Sequence, residues 1–285
     1  MKDIGLVVEG GGMRGVYTAG VLDFFMEKNL YFNDCYAVSA GACHVTSYVS
    51  KQIGRSMKIT LDYINDKRYC SLRSLIKTGD LFGAEMLYDI IPNKLELYDY
   101  DEFNKFKVDG NFYSVVTNCE SGKVEYIKLN EMKKDIIAVR ASSSLPLLSR
   151  MVEINNKKYL DGGITDSIPI KKSIKDNHEK NVVILTRDSN YRKGKPKFLF
   201  IMKLKYKKYP NLIKAIANRY KVYNETLDFI EEKRKEGKVF VIQPKSPVNI
   251  SRVEKNKDKL KALYNEGYED AKKSYADLMK FLNEN

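Results

Sequence analysis

Two short stretches carry side chains that local backbone geometry could activate. The first is Ala37-Val38-Ser39-Ala40-Gly41, a serine with β-favouring residues before it and small ones after it. It matches the G-x-S-x-G nucleophile elbow with alanine at the first glycine. The elbow needs small residues such as Ala37 and Gly41 because its strained turn brings strand and helix close together. A buried serine at an ordinary turn would read the same way. The second stretch is Leu160-Asp161-Gly162-Gly163. Gly162 and Gly163 let another part of the chain approach the Asp161 carboxylate closely, and a partly desolvated aspartate within hydrogen-bond reach can accept a serine proton. A turn-capping aspartate before glycine is the alternative. Asp166 is a spare carboxylate without flanking glycines.

A third stretch, Gly10-Gly11-Gly12-Met13-Arg14-Gly15, satisfies G-x-G-x-x-G literally. A dinucleotide site also wants an acidic residue at the end of the second strand. Here that strand runs into Ser39, and the nearest acid, Asp34, precedes it. The other use of such a loop is electrostatic. Gly10, Gly11 and Gly12 can turn backbone N–H groups toward one point beside a helix amino terminus, which suits a developing oxyanion. Arg14 adds charge there or braces the loop.

A serine nucleophile needs a base, and the chain has two histidines. His44 lies five residues beyond Ser39, so a helix carries it away from the serine. His178 would complete the order Ser, Asp, His, but it sits in a charged, loop-like stretch. Ser142-Ser143-Ser144 is a rival source of nucleophile with no strand before it, better explained by capping and packing.

The elements around these residues alternate. Ile4 to Glu9 reads as a buried strand, followed by the glycine loop, a helix to Asn29, a strand at Cys35–Val38, the serine turn and another helix. That is the rhythm of a parallel α/β sheet. Asp66 to Asp109 is irregular, as a lid or rim would be. Phe112–Asn118 and Lys123–Leu129 read as paired strands, Asp135–Ser144 as a helix, and Val182–Leu185 as a strand. A long helix is expected from Asn211 to Glu236, a last strand at Val239–Ile242, and a closing helix from Val253 to Leu282. Without repeats or low-complexity linkers, residues 1–285 read as one domain, with a core over about 4–190 and a helical extension with one strand over about 191–285.

Composition bounds the rest. No apolar run approaches the ~20 residues that cross a bilayer, and the amino terminus lacks a signal-peptide pattern, so a cytoplasmic protein is expected. Cys35, Cys43, Cys70 and Cys119 show no metal or disulfide spacing, and two histidines exclude a histidine-rich zinc site. The net charge is +13, and eight basic residues with no acid lie between Arg192 and Lys208 around Phe198-Leu199-Phe200-Ile201-Met202. Such a segment suits peripheral contact with anionic lipid headgroups, or is a solvated loop. No nucleic-acid motif is present. An alternative to an enzyme is a binding module using the glycine loop for a nucleotide or the basic segment for a membrane.

Taken in order, the glycine loop, Ser39 in its elbow and Asp161-Gly162-Gly163 resemble the patatin-like phospholipase family. Ala141-Ser142-Ser143-Ser144-Leu145-Pro146 and Asp166-Ser167-Ile168-Pro169 also resemble family segments. The likeness covers roughly the first two-thirds of the chain, and the remainder resembles small bacterial members. It implies a three-layer α/β/α sandwich with a mostly parallel central sheet. It also implies a Ser39–Asp161 dyad, a glycine-loop oxyanion hole, and hydrolysis of fatty-acyl esters of phospholipids, lysophospholipids or neutral lipids without metal or cofactor.

Overall fold

Strands buried on both faces read as continuous apolar runs, and the first strand, β1 (Ile4–Val8), is buried at every position. The computed structural model describes residues 3–284. After β1 come a 3-10 turn (Gly12–Gly15), α1 (Val16–Glu27), β2 (Asp34–Val38), α2 (Ala40–Val49), α3 (Arg55–Tyr63) and α4 (Leu72–Thr78). A π-helical segment (Met86–Leu95) and α5 (Tyr100–Asp109) complete the irregular region. Then follow β3 (Asn111–Asn118), β4 (Val124–Lys128), α6 (Met132–Ser142), β5 (Val152–Ile154), β6 (Lys157–Asp161), α7 (Ile170–Lys175) and β7 (Lys180–Ile184). The chain closes through α8 (Leu199–Lys205), α9 (Pro210–Lys235), β8 (Val239–Ile242), α10 (Lys257–Lys273) and α11 (Tyr275–Asn283).

The strands form one sheet in the order β5-β6-β3-β2-β1-β7-β8, with β4 added to β3. Neighbours from β3 through β2, β1 and β7 to β8 run parallel. Alternate residues feed two cores. Leu6, Val8, Val182 and Ile184 join α1, α2 and α10 on one face, while Val7, Val183 and Leu185 join α7 and α9 on the other. The result is the three-layer α/β/α sandwich. α10 is fastened to α1 by Tyr17 Oη donating to Asp270 (2.9 Å) and Tyr264 Oη donating to Asp23 (2.7 Å).

Register along β3 positions the site. Val38, the last residue of β2, pairs with Val115, and Asp161, the last residue of β6, pairs with Val116. β4 holds the opposite edge of β3 over Tyr113–Thr117, so β2 and β6 share one edge and meet end to end. The carboxyl ends of β1, β2 and β7 lie abreast, with Val8 paired to both Ala37 and Ile184. Open α/β sheets bind ligands at such strand ends.

Three elements differ from the sequence expectation. The closing helix is two helices, starting at Lys257 and broken at Ser274, whose Oγ donates to the carbonyl of Asp270 (2.8 Å). The short strand β5 carries no three-residue signal of its own. The buried face of α9 is Leu212, Ile216, Tyr223, Thr226 and Ile230, rotated slightly from the stripe Ile213, Ile216, Tyr220, Tyr223, Leu227 and Ile230 that helical spacing predicts, and it includes a polar site between Ile216 and Tyr223.

Candidate active site

Ser39 takes φ 54° and ψ −128° before α2 begins. A non-glycine residue in such a conformation costs on the order of 1–3 kcal/mol, so its surroundings must hold it there. The Ser39 N–H donates to Ser142 Oγ (2.8 Å), and its carbonyl accepts from the Cys43 N–H (3.2 Å). This is the geometry of a nucleophile elbow. Ala37 is fully buried in β2, and Gly41 lies in the first turn of α2.

Asp161 arrives from β6. Its N–H donates to the Ser144 carbonyl (2.8 Å), and its carbonyl accepts from Thr117 Oγ1 (2.9 Å). The serine run that ends α6 therefore grips both residues, Ser39 through Ser142 and Asp161 through Ser144. Oδ1 accepts from the Gly163 N–H (2.7 Å), while Gly162 starts the 3-10 turn that follows. Oδ2 is buried without a hydrogen-bond partner among the described residues. Burial pushes the carboxyl above its ordinary range, against Arg219, the Ser39 hydroxyl, the Gly163 N–H and Arg252, which favour the ionised form. Ser39 and Asp161 line the same cleft, and the Ser39 hydroxyl favours the ionised carboxylate.

The glycine loop lies against the serine. A Cβ on Gly10 would stand 2.9 Å from Ser39 Cβ, a distance only glycine permits, and Gly12 has φ +58°. The N–H groups of Gly10, Gly11 and Gly12 have no hydrogen-bond partner among the described residues. Arg14 is buried and braces the turn, donating from Nη1 to the Ile250 carbonyl (3.4 Å).

The other candidates lie apart from this pair. His178 is 3.0 Å from Asp34 Oδ2 at the opposite end of β2. His44 packs beside Gly15, and burial lowers it to about 4, so it is neutral near pH 7. Asp166 accepts from Tyr126 Oη (2.7 Å). Ser143 Oγ lies 3.4 Å from Cys43 Sγ, and Ser144 Oγ donates to the Arg140 carbonyl (2.8 Å).

A family model described as "Patatin-like phospholipase" matches residues 6–173, more than half of the chain. The chain belongs to that family. Membership makes the chain a lipid hydrolase by class. A second family model, "Domain of unknown function (DUF6363)", matches residues 209–283. Two curated proteins are similar over most of their length. "Uncharacterized protein YjjU" of Escherichia coli K12 is 28% identical over 254 residues, covering 86% of this chain and 70% of that protein. "Probable lipid hydrolase 463L" of Invertebrate iridescent virus 6 is 26% identical over 214 residues, covering 66% of this chain and 72% of that protein. The solved structure of VipD from Legionella pneumophila aligns with a TM-score of 0.49 at 12% identity, covering 96% of this chain and 66% of that one. This chain therefore spans just under two thirds of VipD's length.

Ser39 borders a cavity whose wall surface is largely apolar, formed by α2, α3, the π-helical segment and α6. The irregular region expected as a lid or rim forms much of its wall.

Several residues at the site escape sequence reasoning. Glu9 is buried before the glycine loop, with Oε2 accepting from the Thr186 N–H (2.6 Å) and Oγ1 (2.9 Å), and Oε1 from Tyr223 Oη (2.7 Å). A single acid ending an apolar strand was the available signal. Arg219 interrupts the buried stripe of α9 and approaches Gly163. Lys193, expected in the surface patch, instead lies 4.0 Å from the Tyr223 ring centroid, enclosed enough that burial lowers it to about 7.

Proposed function

We propose that this chain is a serine acyl hydrolase that cleaves fatty-acyl esters of phospholipids or lysophospholipids through Ser39 and Asp161. The observation that carries the reading is the buried, unpartnered Asp161 Oδ2 in the cleft that Ser39 also lines. In this account Asp161 accepts the Ser39 proton as Oγ attacks the ester carbonyl. The N–H groups of Gly10, Gly11 and Gly12 stabilise the oxyanion, where each lost donor costs ~2.7–4 kcal/mol. Collapse expels the alcohol, which takes the proton from Asp161. Water then attacks the acyl-serine as Asp161 accepts its proton, and the fatty acid leaves with Ser39 restored. The acyl chain occupies the apolar cavity. The catalytic core and the carboxy-terminal extension act as one unit, since Arg219 of α9 helps set the charge at Asp161.

Among the described residues no helix is long and apolar enough to cross a membrane. Phe198, Phe200, Ile201 and Leu204 on and beside α8 are exposed, interleaved with Lys203, Lys205, Lys207 and Lys208. Apolar side chains among lysines support docking of this segment on an anionic lipid surface. The direct test is fatty-acid release from a panel of phospholipids, lysophospholipids and neutral glycerides. Turnover by the wild type that is lost in Ser39→Ala supports the reading, and turnover that survives in Ser39→Ala overturns it.

A further inference from the structure

Ser39 stands where two cavities of opposite character meet, since Gly12, Ser39 and Leu145 line both. One is the apolar cavity. The other is a polar cleft on which five basic side chains converge: Arg14, Arg187, Lys193, Arg219 and Arg252. They come from separate elements. Arg14 belongs to the glycine turn, Arg187 follows β7, Lys193 precedes α8, Arg219 is on α9, and Arg252 follows β8. Only Arg14 lies inside the segment matched by the patatin-like family model.

Five cations meet only two carboxylates in this cleft, Glu9 and Asp161. Among the described residues none of the five forms an ion pair. The two carboxylates offset that charge only in part, and their oxygens take other donors. Glu9 accepts from Thr186 and Tyr223 through both oxygens, and Asp161 faces Ser39. The Nε atoms of Arg14, Arg187 and Arg219 are buried without a hydrogen-bond partner, and Arg14 is only 7% exposed. Burial and the neighbouring Arg219 both depress the Lys193 ammonium. Like charges gathered in a partly enclosed cleft are costly unless an anion neutralises them. An array of guanidiniums with free N–H donors suits phosphate, which offers several acceptor oxygens to planar forks.

We propose that this cleft is a phosphate subsite that holds the leaving-alcohol side of the ester, so that the bound substrate spans Ser39 with its acyl chain in the apolar cavity and its phosphate among Arg187, Lys193, Arg219 and Arg252. The placement rests on the acyl-hydrolase reading above; the affinity of the cleft for phosphate does not. The subsite selects phosphate-bearing lipids over neutral glycerides, and it is built by the carboxy-terminal part of the chain.

The experiment has a binding arm and a turnover arm. Glycerol 3-phosphate and inorganic phosphate are titrated calorimetrically into Ser39→Ala protein, with and without Arg252→Gln or Lys193→Met. In parallel, kcat/KM is compared for a lysophosphatidate and a monoacylglycerol of the same acyl chain. Glycerol 3-phosphate should bind more tightly than inorganic phosphate, and each variant should weaken it by about tenfold. The turnover preference for the phosphate-bearing lipid should fall with it, while Lys261→Gln, on the exposed face of α10, keeps both. Arg252 is exposed, so its variant tests the cleft without disturbing the core. Phosphate binding in a protein that hydrolyses no ester would sustain the subsite and remove the acyl-hydrolase reading. Inorganic phosphate binding more tightly than glycerol 3-phosphate would assign free phosphate and overturn the leaving-group placement. Ester hydrolysis with no phosphate binding and an unchanged preference would overturn the subsite itself.

Discussion

Ser39 follows the last residue of β2 and Asp161 is the last residue of β6, and the two strands meet end to end along one edge of β3. Because β6 runs antiparallel to β3 while β2 runs parallel to it, both strands end at the same point. Distant parts of the chain are thereby brought together by backbone register, with no long loop to order. A pair held by the sheet is pre-organised, which is what a nucleophile and its base require.

The raised pKa of Asp161 sets a pH dependence. In the proposed mechanism Asp161 acts as base only when ionised, so kcat/KM should fall as pH drops through a value above the ordinary carboxylate range. Arg219 is the strongest of the groups favouring the carboxylate, so Arg219→Met should move that acid limb to higher pH. Asp161→Asn should lower kcat by about 10²–10⁴-fold.

The same shift has a stability consequence. A carboxyl whose folded pKa lies above its unfolded value binds its proton more tightly when folded. Its contribution is therefore favourable at low pH and is lost as pH rises through the folded value. Ionisation of the buried Asp161 costs the fold stability, so Asp161→Asn should raise Tm at pH 7 more than at pH 4. Thermal melts at the two pH values read this directly.

Ser142 holds the strained turn through its bond to the Ser39 N–H. Ser142→Ala leaves that buried N–H without its acceptor, a cost of about 1–3 kcal/mol. The Ser39 backbone then relaxes away from its left-handed conformation, so kcat should fall while KM changes little. Steady-state kinetics on a soluble ester separate the two.

The legibility of this site follows its locality. Ser39 and Asp161 could be read because each sits in a turn whose small neighbours are adjacent in sequence. Ser142, Glu9 and Arg219 could not, because their partners are distant in the chain and only the folded sheet brings them close. Lys193 shows the same limit from the other side: its sequence neighbours are surface lysines, yet its own side chain lies against Tyr223. The break at Ser274 is invisible to periodicity because apolar spacing continues through it, whereas the buried strands announce themselves by composition alone.

The apolar cavity should set chain-length preference. Ala84 lines it beside Leu87 and Tyr88. Ala84→Phe fills that space, so the ratio of kcat/KM for long-chain to short-chain esters should fall by about tenfold or more, consistent with ~1–3 kcal/mol per methylene in a hydrophobic pocket. An unchanged ratio would place the acyl chain elsewhere.

The central claim, that Ser39 is an activated nucleophile, is tested most directly by fluorophosphonate labelling followed by mass spectrometry of the intact protein and its peptides. One adduct per chain is expected, located on Ser39, strongly slowed in Asp161→Asn and absent in Ser39→Ala. An unlabelled wild type under conditions where other serine hydrolases react, or an adduct carried by Ser142, Ser143 or Ser144, would contradict it.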